Sequence, residues 1–261
     1  MKHFITAITT YNRLKYLKKC IKTWNNTRSK HRTTTLIIAD DGSTDGTLEY
    51  LKNLVISDVD IHILTHDRRG VHHQVNKIFE LCSTLNFHFG FKIDDDLIFL
   101  RPNWDNAYYE VAMSSGYHHL NFFDENWWKR KHTNKLRSFN KGQLSSKIEN
   151  TELQGAFWTF TKEVIKKVGY FDLTNFGLCG LGHIDFSWRC SRAGFNDINH
   201  IFDLTKSFTY LKLISENYIH SVPDIVKKKD SNFPQDINRK LQKMREQRVY
   251  IPYNEVEKRL S

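Results

Sequence analysis

Four short apolar segments in the first hundred residues are each followed by a polar cluster, and this repetition constrains the fold more than any other feature. The segments 3–9, 35–40, 61–64 and 89–93 have the apolar and β-branched content of strands. Apolar residues at helical spacing follow each of the first three. Such alternation predicts an α/β protein with a mostly parallel sheet flanked by helices.

The composition excludes several other classes. Hydrophobic residues form 39% and aromatic residues 13% of the 261 residues, which is too rich for a disordered chain. No apolar run approaches the roughly 20 residues of a membrane helix, and the stretch 4–8 is too short for a signal-peptide core. Four widely spaced cysteines predict reduced thiols in a cytoplasmic protein.

The net charge of +10 favours an anionic partner but does not distinguish a nucleotide, a nucleic acid and an acidic membrane. A basic nucleic-acid-binding protein is one alternative, although it leaves the acidic cluster at 94–96 without a role. The basic tail, residues 226–261, could dock peripherally on the inner face of a membrane through anionic lipids or form a solvated helix.

The four polar clusters should meet at one edge of the sheet. They occupy residues 9–13, 40–46, 66–70 and 94–96. Ligands of open parallel sheets bind at the carboxyl ends of the strands, and these clusters follow four such ends. We therefore expect the functional site there.

Three adjacent carboxylates, Asp94 to Asp96, would repel one another without a positive partner. A divalent cation, Mg²⁺ or Mn²⁺, suits their hard oxygens and leaves coordination positions for phosphates. A solvated acidic turn is the alternative. Asp40 and Asp41 likewise allow two interpretations, an ordinary β-turn or a contact to a nucleobase or ribose.

The spacing of the motifs resembles glycosyltransferase family 2, whose members have the GT-A fold, a nucleotide-sugar-binding α/β domain. The resemblance covers roughly residues 3–205. The segments that carry it are 9–13, 40–47, Gly70 with Asn76, 94–96, 155–161 with 168–172, and 180–189 with 192–195. It implies a nucleotide-binding half at about 1–100, an acceptor and catalytic half at 101–225, and a C-terminal extension at 226–261.

The resemblance also implies roles for single residues. Asp96 and Asp94 would be the outer members of an Asp-x-Asp motif that holds the metal. The late metal histidine of many GT-A enzymes falls near Ser207, so His200 and His220 are the nearby candidates, and His220 is the predicted ligand. The predicted donor-nucleotide residues are Thr9, Tyr11, Arg13, Asp40, Asp41, Arg68, Arg69, Asp94 and Asp95.

The catalytic segment departs from the family pattern, in which a Glu-Asp pair supplies the base. Gly182 stands at the Glu and His183 at the Asp, with Asp185 two residues later. His183 suits a proton acceptor at neutral pH because its ordinary pKa is near 6.5. Asp185 is the other candidate, and the sequence leaves the choice open.

The acceptor side is predicted from aromatic residues and glycine. Aromatic faces suit sugar rings, so Trp127 and Trp128 are predicted acceptor residues, and the resemblance of 155–161 to the family's acceptor-side segment implies Gly155 and Trp158 as well. Core packing is the alternative for the neighbouring Phe122 and Phe123.

The resulting expectation is a hexosyltransferase-type enzyme with a Mn²⁺ or Mg²⁺ cofactor. It would move a sugar from a nucleotide-sugar donor, UDP-linked, to a glycan or lipid-linked glycan acceptor, with inversion, in bacterial surface polysaccharide synthesis. A catalytically silent sugar- or nucleotide-binding relative is the alternative that Gly182 keeps open. A nucleotidyltransferase would need a glycine-rich phosphate loop, which residues 9–12 do not supply.

Overall fold

The protein is described by a computed structural model that covers residues 1–126, 137–146, 153–177, 179–214, 242 and 248–253. Within these ranges no helix is both long and apolar enough to cross a bilayer.

A five-stranded sheet forms the centre of the molecule. Its strands are His3–Thr10 (β1), Thr33–Asp40 (β2), Asp60–Thr65 (β3), Phe89–Asp94 (β4) and Phe157–Phe160 (β8). They lie in the order β3-β2-β1-β4-β8, of which the first four are parallel and β8 is antiparallel to β4. β1 and β2 are buried almost throughout, which explains their nearly continuous apolar and β-branched composition.

Helices cover both faces of this sheet. They are Leu14–Thr27 (α1), Thr47–Lys52 (α2), Val71–Thr84 (α3), Trp104–Ser115 (α4), Lys162–Val168 (α5), Leu173–Phe176 (α6) and Gly182–Arg192 (α7). Side chains alternate along each strand, so β4 sends Phe91 and Ile93 into one core with α1 and α4. The opposite face of the sheet packs on α3, α5 and α7 through residues such as Phe79 and Phe186.

Two small sheets lie beside the central one. Leu97–Phe99 (β5) pairs antiparallel with Leu211–Leu213 (β10). Arg137–Phe139 (β6), Leu144–Ser146 (β7) and Asp203–Leu204 (β9) form the other. The predicted α/β architecture, with a mostly parallel sheet and a smaller adjoining region, is therefore confirmed.

Candidate functional site at the carboxyl edge of the sheet

The loops that follow β1, β2 and β3 are tied together at the carboxyl edge, as predicted. The N–H of Asp41 donates to the carbonyl of Thr10 at 3.0 Å. The Asp41 carboxylate accepts N–H groups from Arg69 at 2.7 Å and from Gly70 at 2.9 and 3.0 Å. Backbone donors thus engage both oxygens of Asp41, whose pKa is raised because burial outweighs these hydrogen bonds.

Asp40 closes the turn after β2. Its Oδ2 accepts the N–H of Ser43 at 2.9 Å, whereas its buried Oδ1 has no hydrogen-bond partner among the described residues. The turn therefore uses one carboxylate oxygen and leaves the other, on a fully buried side chain, unsatisfied.

The loop after β1 adopts a strained conformation at Asn12, where φ is +50°. Asn12 is held by Ser43, whose Oγ accepts its N–H at 2.8 Å, and its Oδ1 accepts the N–H of Thr44 at 2.7 Å. Beside it, the Arg68 guanidinium lies 4.4 Å from the centre of the Tyr11 ring. The predicted nucleotide residues Tyr11 and Arg68 therefore form a stacked pair at the open edge.

Asp95, the middle carboxylate of the acidic cluster, points inward. It accepts the Thr10 hydroxyl at 2.7 Å and lies 3.3 Å from Nε of Arg13. Burial raises its pKa to about 7. Asp95 and Arg13, both predicted to contact the nucleotide, are thus engaged with each other.

Asp96 is the better candidate for a metal ligand. Its Oδ2 accepts from Arg13 at 2.8 Å, and its Oδ1 is buried without a donor among the described residues. Asp94 is a third exposed, and its Oδ1 contacts Thr9 Oγ1 at 3.3 Å and the Lys92 ammonium.

The described residues contain no cluster of three or more His, Cys, Asp or Glu side chains that could hold a metal ion by themselves. A divalent ion held by one or two carboxylates, with substrate phosphates and water completing its shell, needs no such cluster. The orphaned Asp96 oxygen and the outward Asp94 carboxylate fit that kind of site. His220 lies outside the described residues.

The acidic cluster also carries positive partners of its own. Arg13 faces Asp95 and Asp96, and Lys92 faces Asp94. Repulsion among three carboxylates therefore does not by itself require a metal. The orphaned oxygen of Asp96 is the feature that favours one.

His183 is partly exposed in the first turn of α7. Its Nδ1 lies 2.9 Å from the Gly180 carbonyl and its Nε2 lies 2.9 Å from the Leu153 carbonyl. Burial is the largest influence on the pKa of His183 and lowers it, whereas the carbonyls of Leu153 and Gly180 act in the opposite direction. Because a carbonyl acceptor faces each ring nitrogen, the ring must turn from one of them before that nitrogen can accept a proton from a substrate.

Asp185, the other predicted base, faces the interior. Its Oδ2 accepts Nε of Arg189 at 2.8 Å, and neither side chain has exposed surface. Arg189 also donates to the carbonyls of Val168 at 2.7 Å and Tyr170 at 2.8 Å. Its Oδ1 is buried without a hydrogen-bond partner among the described residues. The burial and the ion pair with Arg189 favour a structural role for Asp185 over the predicted role as a base.

The structure explains why residue 182 is glycine. A Cβ added there would lie 2.5 Å from Cε1 of His72, a residue of α3. The imidazole of His72 is buried, packs at a tilt against Phe171 and has Nδ1 2.7 Å from the Gly177 carbonyl. Burial lowers the pKa of His72 to about 4, so a neutral ring fills the side-chain space at position 182.

Replacing Gly182 with alanine should destabilise the protein, although the same change in an open helix stabilises by up to about 1 kcal/mol. The buried ring of His72 would have to shift to admit the methyl group, so we expect a loss of about 1–3 kcal/mol in unfolding free energy. Urea unfolding measures this loss. In a His72→Ala background the same substitution should cost much less, and an equal cost in both backgrounds would contradict the steric explanation.

The structure describes two of the four predicted acceptor residues, Trp158 and Gly155. Trp158 is 1% exposed and packs against Phe79 and Phe186 in the core, so a packing role replaces the predicted acceptor contact. Gly155 lies beside His183, whose ring would be 3.0 Å from a Cβ at that position. Trp127 and Trp128 lie outside the described residues.

Sequence reasoning missed Lys92 and His72. A lysine inside an apolar strand that ends in Asp94 was a usable signal, because a buried ammonium is costly unless it is paired. No local pattern marks His72, since its partner Gly182 is more than a hundred residues away.

Comparison with known proteins agrees with this geometry. A family model described as Glycosyl transferase family 2 matches residues 6–169. An uncharacterized glycosyltransferase of Acanthamoeba polyphaga mimivirus is 29% identical over 181 residues, which cover 68% of this chain and 66% of that relative.

Solved structures share the fold at low identity. Residues 1–349 of S. aureus TarS, solved in complex with UDP, match 81% of this chain with a TM-score of 0.57 and 15% identity. The mannosyltransferase PcManGT from Pyrobaculum calidifontis, solved with GDP-Man and Mn²⁺, matches 76% with a TM-score of 0.56 and 14% identity. This chain spans 60% and 55% of those two chains, respectively.

The family match covers more than half of the chain, and it confirms the predicted family and the predicted transferase class. The structural neighbours confirm the predicted GT-A fold. The chain belongs to glycosyltransferase family 2.

Proposed function

We propose that this protein transfers a sugar from a nucleotide-sugar donor, UDP-linked, to a hydroxyl of a glycan or lipid-linked glycan acceptor. The observation that carries the proposal is the convergence of Asp41, Tyr11 with Arg68, and the carboxylates Asp94 and Asp96 at one edge of the sheet. Fold neighbours solved with UDP and with GDP-Man support a nucleotide-sugar donor.

We assign the nucleoside to the loops after β1 and β2. The Tyr11 ring and the Arg68 guanidinium offer flat surfaces on which a base can stack. Asp40, with its unsatisfied oxygen, is a candidate acceptor for an N–H or hydroxyl of the nucleoside. Thr9 borders this region through its contact with Asp94.

Asp96 and Asp94 are the residues that would hold Mn²⁺ or Mg²⁺. When bound, such an ion neutralises the diphosphate as it leaves the sugar. Arg13 keeps Asp96 fixed through Oδ2, which leaves Oδ1 for coordination. A fold neighbour solved with GDP-Man and Mn²⁺ together supports this choice of cofactor.

We assign proton removal from the acceptor to His183. It is partly exposed near the end of β4, whereas Asp185 is closed off by Arg189. A neutral imidazole accepts the hydroxyl proton on one nitrogen as the oxygen attacks the anomeric carbon, and the nucleoside diphosphate leaves. Attack from the face opposite the leaving group gives inversion.

The proposal also includes a role in bacterial surface polysaccharide synthesis. It further includes docking of residues 226–261 on a membrane.

A screen of nucleotide sugars tests the proposal. Purified protein with Mn²⁺ should release UDP from a UDP-sugar, measured by coupled detection of free UDP, and chelator should stop the release. GDP-sugars in the same screen test the alternative nucleotide. Mn²⁺-dependent UDP binding without turnover of any donor would instead favour a catalytically silent relative.

A further inference from the structure

Lys92 is a buried cation for which the proposed transfer has no role. Its side chain is 4% exposed, and its neighbours Phe91 and Ile93 in β4 are fully buried. Successive side chains of a strand point to opposite faces, so Lys92 and Asp94 share the face covered by α3 and α7. A buried ammonium needs close partners to offset its lost hydration.

The partners of Lys92 come from both halves of the site. Its Nζ contacts Oδ1 of Asp94 and donates to the carbonyl of Gly155 at 3.3 Å. Thr9 donates to the same Asp94 oxygen at 3.3 Å. These contacts engage Oδ1, which leaves the other oxygen of the partly exposed carboxylate available to a ligand.

The segment 153–156 is held against the end of β4 by further contacts. The N–H of Asp94 donates to the carbonyl of Ala156 at 2.8 Å. The His183 ring lies against Gly155 and has Nε2 2.9 Å from the carbonyl of Leu153. Lys92 therefore links the donor-side carboxylate to the segment on which the proposed base packs.

We propose that Lys92 is a positioning residue that directs Asp94 toward the proposed metal and donor site and fixes segment 153–156 beside it. The inference rests on the proposed function, because it assigns the oriented carboxylate to nucleotide-sugar binding. Loss of the ammonium would free the Asp94 carboxylate to turn away from the position in which it would hold the divalent ion of the proposed donor site.

Calorimetry with UDP at saturating Mn²⁺ tests this role. Lys92→Met should weaken UDP binding by at least about tenfold, the scale expected for a residue that supports a ligand-binding carboxylate. Lys167→Met is the matched control, since that exposed lysine pairs with Glu163 on α5, away from the site, and it should bind UDP as the unmodified protein does. In an Asp94→Asn background, Lys92→Met should change UDP affinity by less than about twofold, because Lys92 acts through Asp94.

Urea unfolding without nucleotide supplies an independent measurement of the pair. Asp94→Asn leaves the buried Lys92 ammonium without its carboxylate partner. Adding Lys92→Met removes that ammonium, so the double variant should have a higher unfolding midpoint than Asp94→Asn alone. A purely structural lysine would instead lower the midpoint further in both backgrounds and affect UDP affinity equally in both.

The outcomes separate the two proposals. Failure of the unmodified protein to bind UDP would overturn the proposed function. Equal UDP affinity of the unmodified and Lys92→Met proteins, or additive losses with Asp94→Asn, would overturn only the role of Lys92.

Discussion

Replacing Asp96 with asparagine should weaken Mn²⁺-dependent UDP binding by about 100-fold, which corresponds to about 2.7 kcal/mol. Asparagine keeps the volume and an oxygen for Arg13, but it removes the charge behind the unsatisfied Oδ1. Sugar release should fall at least as far, because the same charge would hold the metal at the leaving diphosphate. Calorimetry with UDP, with and without chelator, measures the binding.

The matched control is Asp60→Asn. Asp60 starts β3 at the opposite edge of the sheet, and its exposed carboxylate pairs with His62. This variant should bind UDP like the unmodified protein. Equal UDP affinity of the unmodified protein with and without chelator would contradict the metal assignment.

Substitution of His183 should reduce sugar transfer, whereas substitution of Asp185 should reduce stability. His183→Gln keeps a donor for a backbone carbonyl but cannot accept a proton at neutral pH. We expect sugar transfer to fall by about 10²–10⁴-fold, the usual contribution of a general base, with UDP affinity and stability nearly unchanged. Transfer assays and calorimetry on the same preparation measure both quantities.

Asp185→Asn should act on stability instead. It leaves the Arg189 guanidinium, which has no exposed surface, without its carboxylate. Removing one partner of a buried ion pair costs about 3–5 kcal/mol, so the urea midpoint should fall sharply.

The control for His183→Gln is His62→Ala on β3, which also removes a histidine side chain. Normal transfer by His183→Gln would rule out His183 as the base, and a stable but inactive Asp185→Asn protein would return that role to Asp185.

Local sequence patterns predicted the parallel strands that are buried on both faces of the sheet. The segments 3–9 and 35–40 are strands in the structure, each within a residue or two of its predicted ends, because buried parallel strands need continuous apolar composition. Residues 185–193, which are followed by Gly194, have the pattern of a helix, but the helix in the structure begins at Gly182 and ends at Arg192. Its first turn has glycine and histidine rather than a capping residue, so the sequence carried no start signal.

Other elements depend on partners far away in the chain. α4 was not predicted, although the apolar residues that it buries, Trp104, Tyr108, Val111 and Ala112, stand at helical spacing. The short strand β5 pairs with residues 211–213, more than a hundred positions later. Pairing at that separation leaves no mark in a local window.

The amino-acid sequence determined which chemical groups this protein has and, through strand–helix alternation, that its polar loops share one edge of a sheet. Tertiary structure decided the state of each group. It sealed Asp185 against Arg189, left Asp96 with an unsatisfied oxygen, and placed Lys92 on Asp94. Both ion pairs join residues close in sequence, but the burial that isolates them from water comes from the packing of distant segments, whereas residue type and periodicity are local properties of the chain.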